Sequence, residues 1–117
     1  MLTEPIANDV TDDQLDLIFK ALSDRTRREQ LKMLYKGPIS VSRLAAKFDM
    51  TLPAVSKHLK VLEKAGLIDR QKKGRVSMCS FNPEKMQEVN HWLTTNQDVW
   101  QQSLDNLANY FIQNKDQ

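Results

Sequence analysis

The sequence predicts a mainly α-helical chain with one small β-hairpin, and three observations carry that prediction. Apolar residues recur at helical spacing through most of the 117 residues. Thr11, Ser23-Asp24, Ser40, Thr51 and Asn82 each stand just ahead of such a stretch, where helix N-caps belong. Lys73-Gly74 with Arg75 marks a tight turn between two short runs, Leu67 to Lys72 and Arg75 to Phe81.

The elements follow in order. Thr11-Asp12-Asp13-Gln14 has the form of a capping box, with two acids in the first turn to suit the helix dipole. The helix it opens carries Leu15, Ile18, Phe19 and Leu22 on one face, with Leu17 off that stripe. A second helix runs from about Arg25 to Tyr35, with Leu31 and Leu34 inward, and Gly37-Pro38 ends it. Ile39 marks a strand of one or two residues. A short helix, Val41 to Phe48, is joined by Asp49-Met50-Thr51 to a longer one beginning at Leu52, a turn of helix-turn-helix length. Leu52, Val55, Leu59 and Leu62 form the apolar stripe of the longer helix, and Pro53, Ser56, Lys57, Lys60 and Lys64 lie roughly opposite. Pro53 is tolerated because the N–H groups of a first turn have no intrahelical partner. Gly66 stops that helix and the hairpin follows, with Cys79 and Phe81 on one face and Val76 and Met78 on the other. Asn82-Pro83-Glu84 starts the last helical region, whose apolar residues Met86, Leu93, Trp100 and Leu107 are spaced by seven. The pattern thins at residues 94–97, so this region is one long helix or two with a bend. Thirty residues of helix would be about 45 Å long, too long for one small core to cover, so part of its seam should meet another chain. The order α-α-(β)-α-α-β-β-α is that of a dimeric winged helix-turn-helix, read as an N-terminal arm (1–10) and one domain (11–117). Within that domain the helix-turn-helix spans 41–65, the wing 67–81 and the C-terminal dimerisation helix 83–113.

The net charge of +2 hides a division along the chain. Residues 20–75 hold 15 Lys/Arg against five Asp/Glu, a net of +10, and the flanks carry −8. A basic centre between acidic flanks points to a polyanion partner, double-stranded DNA. No apolar run approaches the roughly 20 residues that span a bilayer, and the acidic N-terminus is unlike a signal sequence, which predicts a cytoplasmic protein with no membrane partner. The single Cys79 excludes an internal disulfide. No Gly-rich phosphate loop or nucleophile–base spacing supports catalysis, and no cofactor is expected.

With these residues in place, the chain resembles the ArsR-type (ArsR/SmtB) winged-helix repressors over about residues 15–112. LIFKALSDRTRREQLKML (17–34), VSRLAAKF (41–48), PAVSKHLKVLEKAGLI (53–68) and KKGRVSMCSFNP (72–83) carry the likeness. It implies a homodimer, built on the first and last helices, that blocks a promoter until a signal releases it. It also implies that the Ser56-Lys57 pair lies in the major groove. Arsenic- and cadmium-sensing members carry cysteines on the helix that here reads VSRLAAKFDM, which has none. Zinc and nickel sensors place Asp, His and Glu ligands on the last helix, where only His91 and scattered acids stand here. Metal sensing is therefore not carried over.

The candidate DNA-binding residues are Thr51, Pro53, Ser56, Lys57, His58 and Lys60 on the helix, with Arg70, Lys72, Lys73 and Arg75 on the wing. His58 is either a structural histidine donating to a backbone carbonyl or a phosphate contact. Arg27 and Arg28 either touch phosphates or pair with the acidic flanks. Leu15, Ile18, Trp92, Trp100, Leu104, Leu107 and Phe111 are the expected dimer interface. An unknown small-molecule effector, if there is one, is expected in an aromatic pocket between paired last helices, near Trp92 and Trp100. Cys79 reads as a small buried hydrophobe, with a metal- or thiol-responsive sensor as one alternative. The other is an adaptor whose last helix recruits a different protein while DNA contact is secondary.

Overall fold

The computed structural model describes residues 10–114; the expected N-terminal arm lies outside them except for Val10. The elements are α1 (Asp12–Leu22), α2 (Arg25–Tyr35), β1 (Ile39–Ser40), α3 (Val41–Phe48), α4 (Leu52–Lys64), β2 (Ile68–Lys73), β3 (Val76–Phe81), α5 (Pro83–Thr95) and α6 (Gln97–Asn114).

Side chains start the helices where the sequence offers caps. Gln14 N–H donates to Thr11 Oγ1 (3.2 Å) and Thr11 N–H to Gln14 Oε1 (3.0 Å), completing the capping box. Asp24, Ser40 and Thr51 accept from the N–H groups of Arg27, Arg43 and Ala54. Asn82 Oδ1 accepts from both Glu84 and Lys85 N–H. The exit of α4 is a Schellman motif, with Leu67 N–H donating to Leu62 O (3.1 Å) and Gly66 N–H to Glu63 O (2.9 Å). Gly66 sits at φ +80°, which L side chains rarely adopt, and a Cβ there would come within 3.0 Å of Lys85 Cε.

The sheet is antiparallel in the order β1-β3-β2. β3 pairs Cys79 with Ile39 on one side and with Arg70 on the other. Helices α1 to α4 pack against one another, and α2, α3 and α4 also touch the sheet. Ile18, Leu31, Leu34, Leu44, Val55, Leu59 and Leu62 are buried between them, closed below by Leu67, Ile68 and Cys79. Each of these large side chains contributes roughly 1.5–3 kcal/mol on leaving water.

Four expectations are corrected. Leu15 and Ile18, expected at a dimer interface, are buried within the chain, because the face of α1 that carries them is the one against the core. Phe19, expected inward, is 43% exposed and meets the edge of Trp92 at 6.0 Å. Leu52, expected in the α4 stripe, is 52% exposed, since the first residue of α4 projects past the end of the core. Arg27 is half-buried and pairs with no acidic flank, and Arg28, though exposed, is turned onto a carbonyl of α1. Arg27 donates from Nε to Ala21 O (2.8 Å) and from Nη2 to Lys20 O (3.0 Å), and Arg28 donates from Nη1 to Leu22 O (2.7 Å). Both guanidinium groups thus cap the C-terminal carbonyls of α1.

The last region is two helices. Asn96 breaks it, donating from its N–H (3.2 Å) and from Nδ2 (2.8 Å) to Trp92 O, while its own carbonyl accepts from Trp100 N–H (3.1 Å). α5 reaches the core through Val89, whereas every residue of α6 is exposed.

Candidate nucleic-acid interface

Helix α4 is held from behind. Val55, Leu59 and Leu62 are fully buried, which fixes its rotation and turns the opposite face outward. Pro53, Lys57 and Lys60 are exposed on that face and Ser56 is half-buried. Thr51, also exposed, caps the helix through Oγ1. The N-terminal turns of α4 therefore present a hydroxyl, two ammonium groups and the positive end of the helix dipole together.

His58 sits apart from this row. Its Nδ1 lies 3.3 Å from Arg27 Nη1 and 3.8 Å from Asp24 Oδ2, so it bridges α4 to the start of α2. Nδ1 therefore lies beside a guanidinium nitrogen and a carboxylate oxygen at once. Among the described residues no backbone carbonyl partners the ring. Asp24 in turn is held below the usual carboxylate range, first by the Arg27 backbone N–H, with the Arg27 and His58 charges adding to it.

The wing supplies the other cations. Lys73 pairs with Val76 across the turn, where Gly74 takes φ +63°. Lys72, Lys73 and Arg75 are exposed at this tip, and Arg70 is half-buried at its base. Ser56 of α4 and Arg70 and Arg75 of the wing line one cleft, so helix and wing face a shared space. Among the described residues, none of Lys57, Lys60, Arg70, Lys72, Lys73 and Arg75 has a carboxylate within 4.0 Å, the two ion pairs being His58–Asp24 and Lys85–Glu88. Six cations left without a carboxylate partner on α4 and the wing suit an external polyanion.

Cys79 is fully buried beneath this surface. Burial pushes its thiol up, Arg70 pulls it partly back and Glu63 adds to the rise, so the sulfur is a neutral thiol near pH 7. Among the described residues no three His, Cys, Asp and Glu side chains gather where they would hold a metal ion. No helix among them is long and apolar enough to cross a membrane. Trp92 and Trp100 meet edge-to-face at 6.3 Å, which with Phe19 makes an aromatic cluster at the junction of α1, α5 and α6.

Of the expected α4 and wing residues, Pro53, Ser56, Arg70 and Arg75 share one cleft; Thr51, Lys57 and Lys60 are exposed on or beside α4, and Lys72 and Lys73 at the wing tip. Of the expected interface residues, Trp100, Leu104, Leu107 and Phe111 lie exposed on α6 and Trp92 is half-buried on α5. The capping roles of Arg27 and Arg28 escaped the sequence reading. The signal present was only two arginines placed just after a helix end.

Comparison with known proteins bears on the family of the chain. A family model described as a helix-turn-helix domain matches residues 22–71. The transcriptional repressor SdpR of Bacillus subtilis is 34% identical over 76 residues, covering 65% of this chain and 84% of its own length. An arsenical resistance operon repressor of Staphylococcus xylosus is 32% identical over 77 residues, covering 66% of this chain and 74% of its own. A crystal structure described as an ArsR family transcriptional regulator superposes with a TM-score of 0.72 at 43% identity, covering 80% of this chain and 96% of that one. An ArsR-like transcriptional regulator from Rhodococcus sp. RHA1 gives 0.70 at 28% identity, covering 84% and 92%. This chain belongs to the ArsR family of winged helix-turn-helix, DNA-binding transcriptional regulators.

Proposed function

We propose that this regulator is a repressor that occupies a palindromic operator as a homodimer, placing one α4 in each of two major-groove half-sites. Such half-sites lie about 34–36 Å apart, or a multiple of that. The observation that carries the reading is that six cations on α4 and the wing have no carboxylate within 4.0 Å among the described residues, while Ser56 of α4 shares one cleft with Arg70 and Arg75 of the wing. Thr51, Pro53, Ser56, Lys57 and Lys60 are assigned to the major groove, and Arg70, Lys72, Lys73 and Arg75 to phosphates or the adjacent minor groove. His58 is assigned instead to holding α4 against α2.

Trp100, Leu104, Leu107 and Phe111 support the dimer. They are 50%, 61%, 53% and 63% exposed along one stripe of α6, an apolar seam left open among the described residues. A second copy of the chain would bury it. A protein-recruiting adaptor would use the same seam, and light scattering on the purified chain separates the two, a stable dimer supporting the repressor and a monomer the adaptor. The aromatic cluster of Phe19, Trp92 and Trp100 is the site we assign to a small-molecule effector. In this reading the protein acts in the cytoplasm as a regulator and performs no catalysis.

The test is Lys57→Ala in a gel shift on DNA selected by the protein from its own genome. Binding is expected to weaken by about 1–3 kcal/mol. Unchanged affinity removes α4 from the interface.

A further inference from the structure

A cleft of about 380 Å³ opens between the N-terminal ends of α3 and α4 and the wing. Its lining is mixed in a particular way. Leu52 and Val76 stand in it as two large aliphatic side chains left 52% and 47% exposed. Arg70 and Arg75 share the lining with them, and neither has a carboxylate partner among the described residues. Ser42 and Ser56 add hydroxyls at the helix ends. An apolar wall beside two cations that lack carboxylate partners fits a ligand that alternates anionic and carbon-rich parts, as the sugar–phosphate chain of DNA does.

The position of the cleft selects which part of DNA would enter it. Lys57 and Lys60 do not line it; it lies on the side of α4 that faces the wing. A helix in a major groove and a wing at the adjacent minor groove are separated by one strand's backbone. Resting on the DNA-binding surface proposed above, we infer that this cleft seats a single deoxyribose, its ring against Leu52 and Val76 and its phosphate between Arg70 and Arg75. Leu52 and Val76 are then DNA-contacting residues, and the C2′ methylene of the sugar faces an apolar wall that disfavours a hydroxyl there.

The probe is a duplex selected by the protein from random-sequence DNA. Each nucleotide of one half-site is replaced singly by its ribonucleotide, and each thymidine by deoxyuridine, with the wild type, Leu52→Ala, Val76→Ala and Lys57→Ala compared. On unmodified DNA, Leu52→Ala is expected to lose about fivefold in affinity, as the exposed half of a leucine is no longer covered. At one sugar position a 2′-hydroxyl is expected to weaken wild-type binding about fivefold. In Leu52→Ala or Val76→Ala that penalty should fall below about twofold, because a shortened wall leaves room to hydrate the hydroxyl. No sugar whose penalty depends on Leu52 or Val76 overturns the seat. A deoxyuridine penalty that depends on Leu52 also overturns it, and gives the wall to a thymine methyl group. Weakened binding by Lys57→Ala alongside either result leaves the wider DNA interface standing. Unchanged binding by Lys57→Ala overturns that interface and the seat with it.

Discussion

Arg27→Ala should be among the more damaging single substitutions outside the apolar core, and its cost can be worked from two hydrogen bonds. Arg27 donates to Ala21 O at 2.8 Å and to Lys20 O at 3.0 Å. A bond from a charged donor contributes about 1.5–3 kcal/mol, and water can replace part of that here because the Lys20 bond is exposed. The expected loss is about 2 kcal/mol for the pair, or a fall in melting temperature of about 8–10 °C for a chain of this size. Arg28 supplies the control. It makes one exposed bond, to Leu22 O at 2.7 Å, so Arg28→Ala should cost about 0.5 kcal/mol. Arg27→Lys should not rescue, since a single ammonium cannot match a planar fork that meets two carbonyls and an imidazole. The assay is urea unfolding followed by far-ultraviolet circular dichroism at one fixed protein concentration, because association also shifts apparent stability. Losses for Arg27→Ala and Arg28→Ala that agree within about 0.5 kcal/mol would refute the capping argument.

Three further outcomes follow from the same geometry. Neutralising Lys73 and Arg75 together should lower the slope of log K against log salt by about 1.8, near 0.9 for each phosphate that no longer meets a cation; an unchanged slope in salt-series gel shifts takes the wing tip off the DNA. Asp24 has a depressed folded-state pKa, so its contribution is present above the unfolded value and is lost as pH falls through the folded one. Asp24→Asn keeps the cap and removes the charge, and should therefore flatten the fall in stability below about pH 4, measured by urea midpoints from pH 7 to 3. Cys79 is buried as a neutral thiol, so mild peroxide should leave DNA binding intact. Oxidation that abolishes binding in the wild type but not in Cys79→Ser would count against that placement.

The helix starts were legible because capping is local. Thr11, Asp24, Ser40, Thr51 and Asn82 each act within three residues of where they stand. The reading row of α4 was legible for a related reason, since a 3.6-residue period sorts Val55, Leu59 and Leu62 from Lys57 and Lys60 without knowledge of the neighbours. Leu52 shows where that reasoning stops. Its phase matches the buried stripe, but periodicity carries no information about where along the axis the core ends. Ile18 and Phe19 fail for another reason. Adjacent residues on a helix point about 100° apart, and only the packing of α1 against α2 and α4 decides which one is enclosed. Arg27 was beyond reach, because its three partners are set by the angle between α1 and α2 and by the approach of α4.

That angle connects stability to the placement of α4, the proposed reading helix. Arg27 ties the end of α1 to His58 on α4, and Phe19, one residue before Lys20, touches Trp92 on α5. Trp92 meets Trp100 on α6 across the break at Asn96, where its carbonyl also receives both Asn96 bonds. A chain of direct contacts therefore runs from the α6 seam, through the aromatic cluster, to the back of α4. Two copies joined along α6 would set the separation of their α4 helices through this chain, and a half-site spacing tolerates little error. A ligand that changed the Trp92–Trp100 angle would act on this chain of contacts while touching no DNA itself. The coupling is energetic only if the cluster has two packings of similar stability, which makes Trp92, at its centre, the position where a substitution should alter the response to an effector while leaving intact the cations that hold DNA.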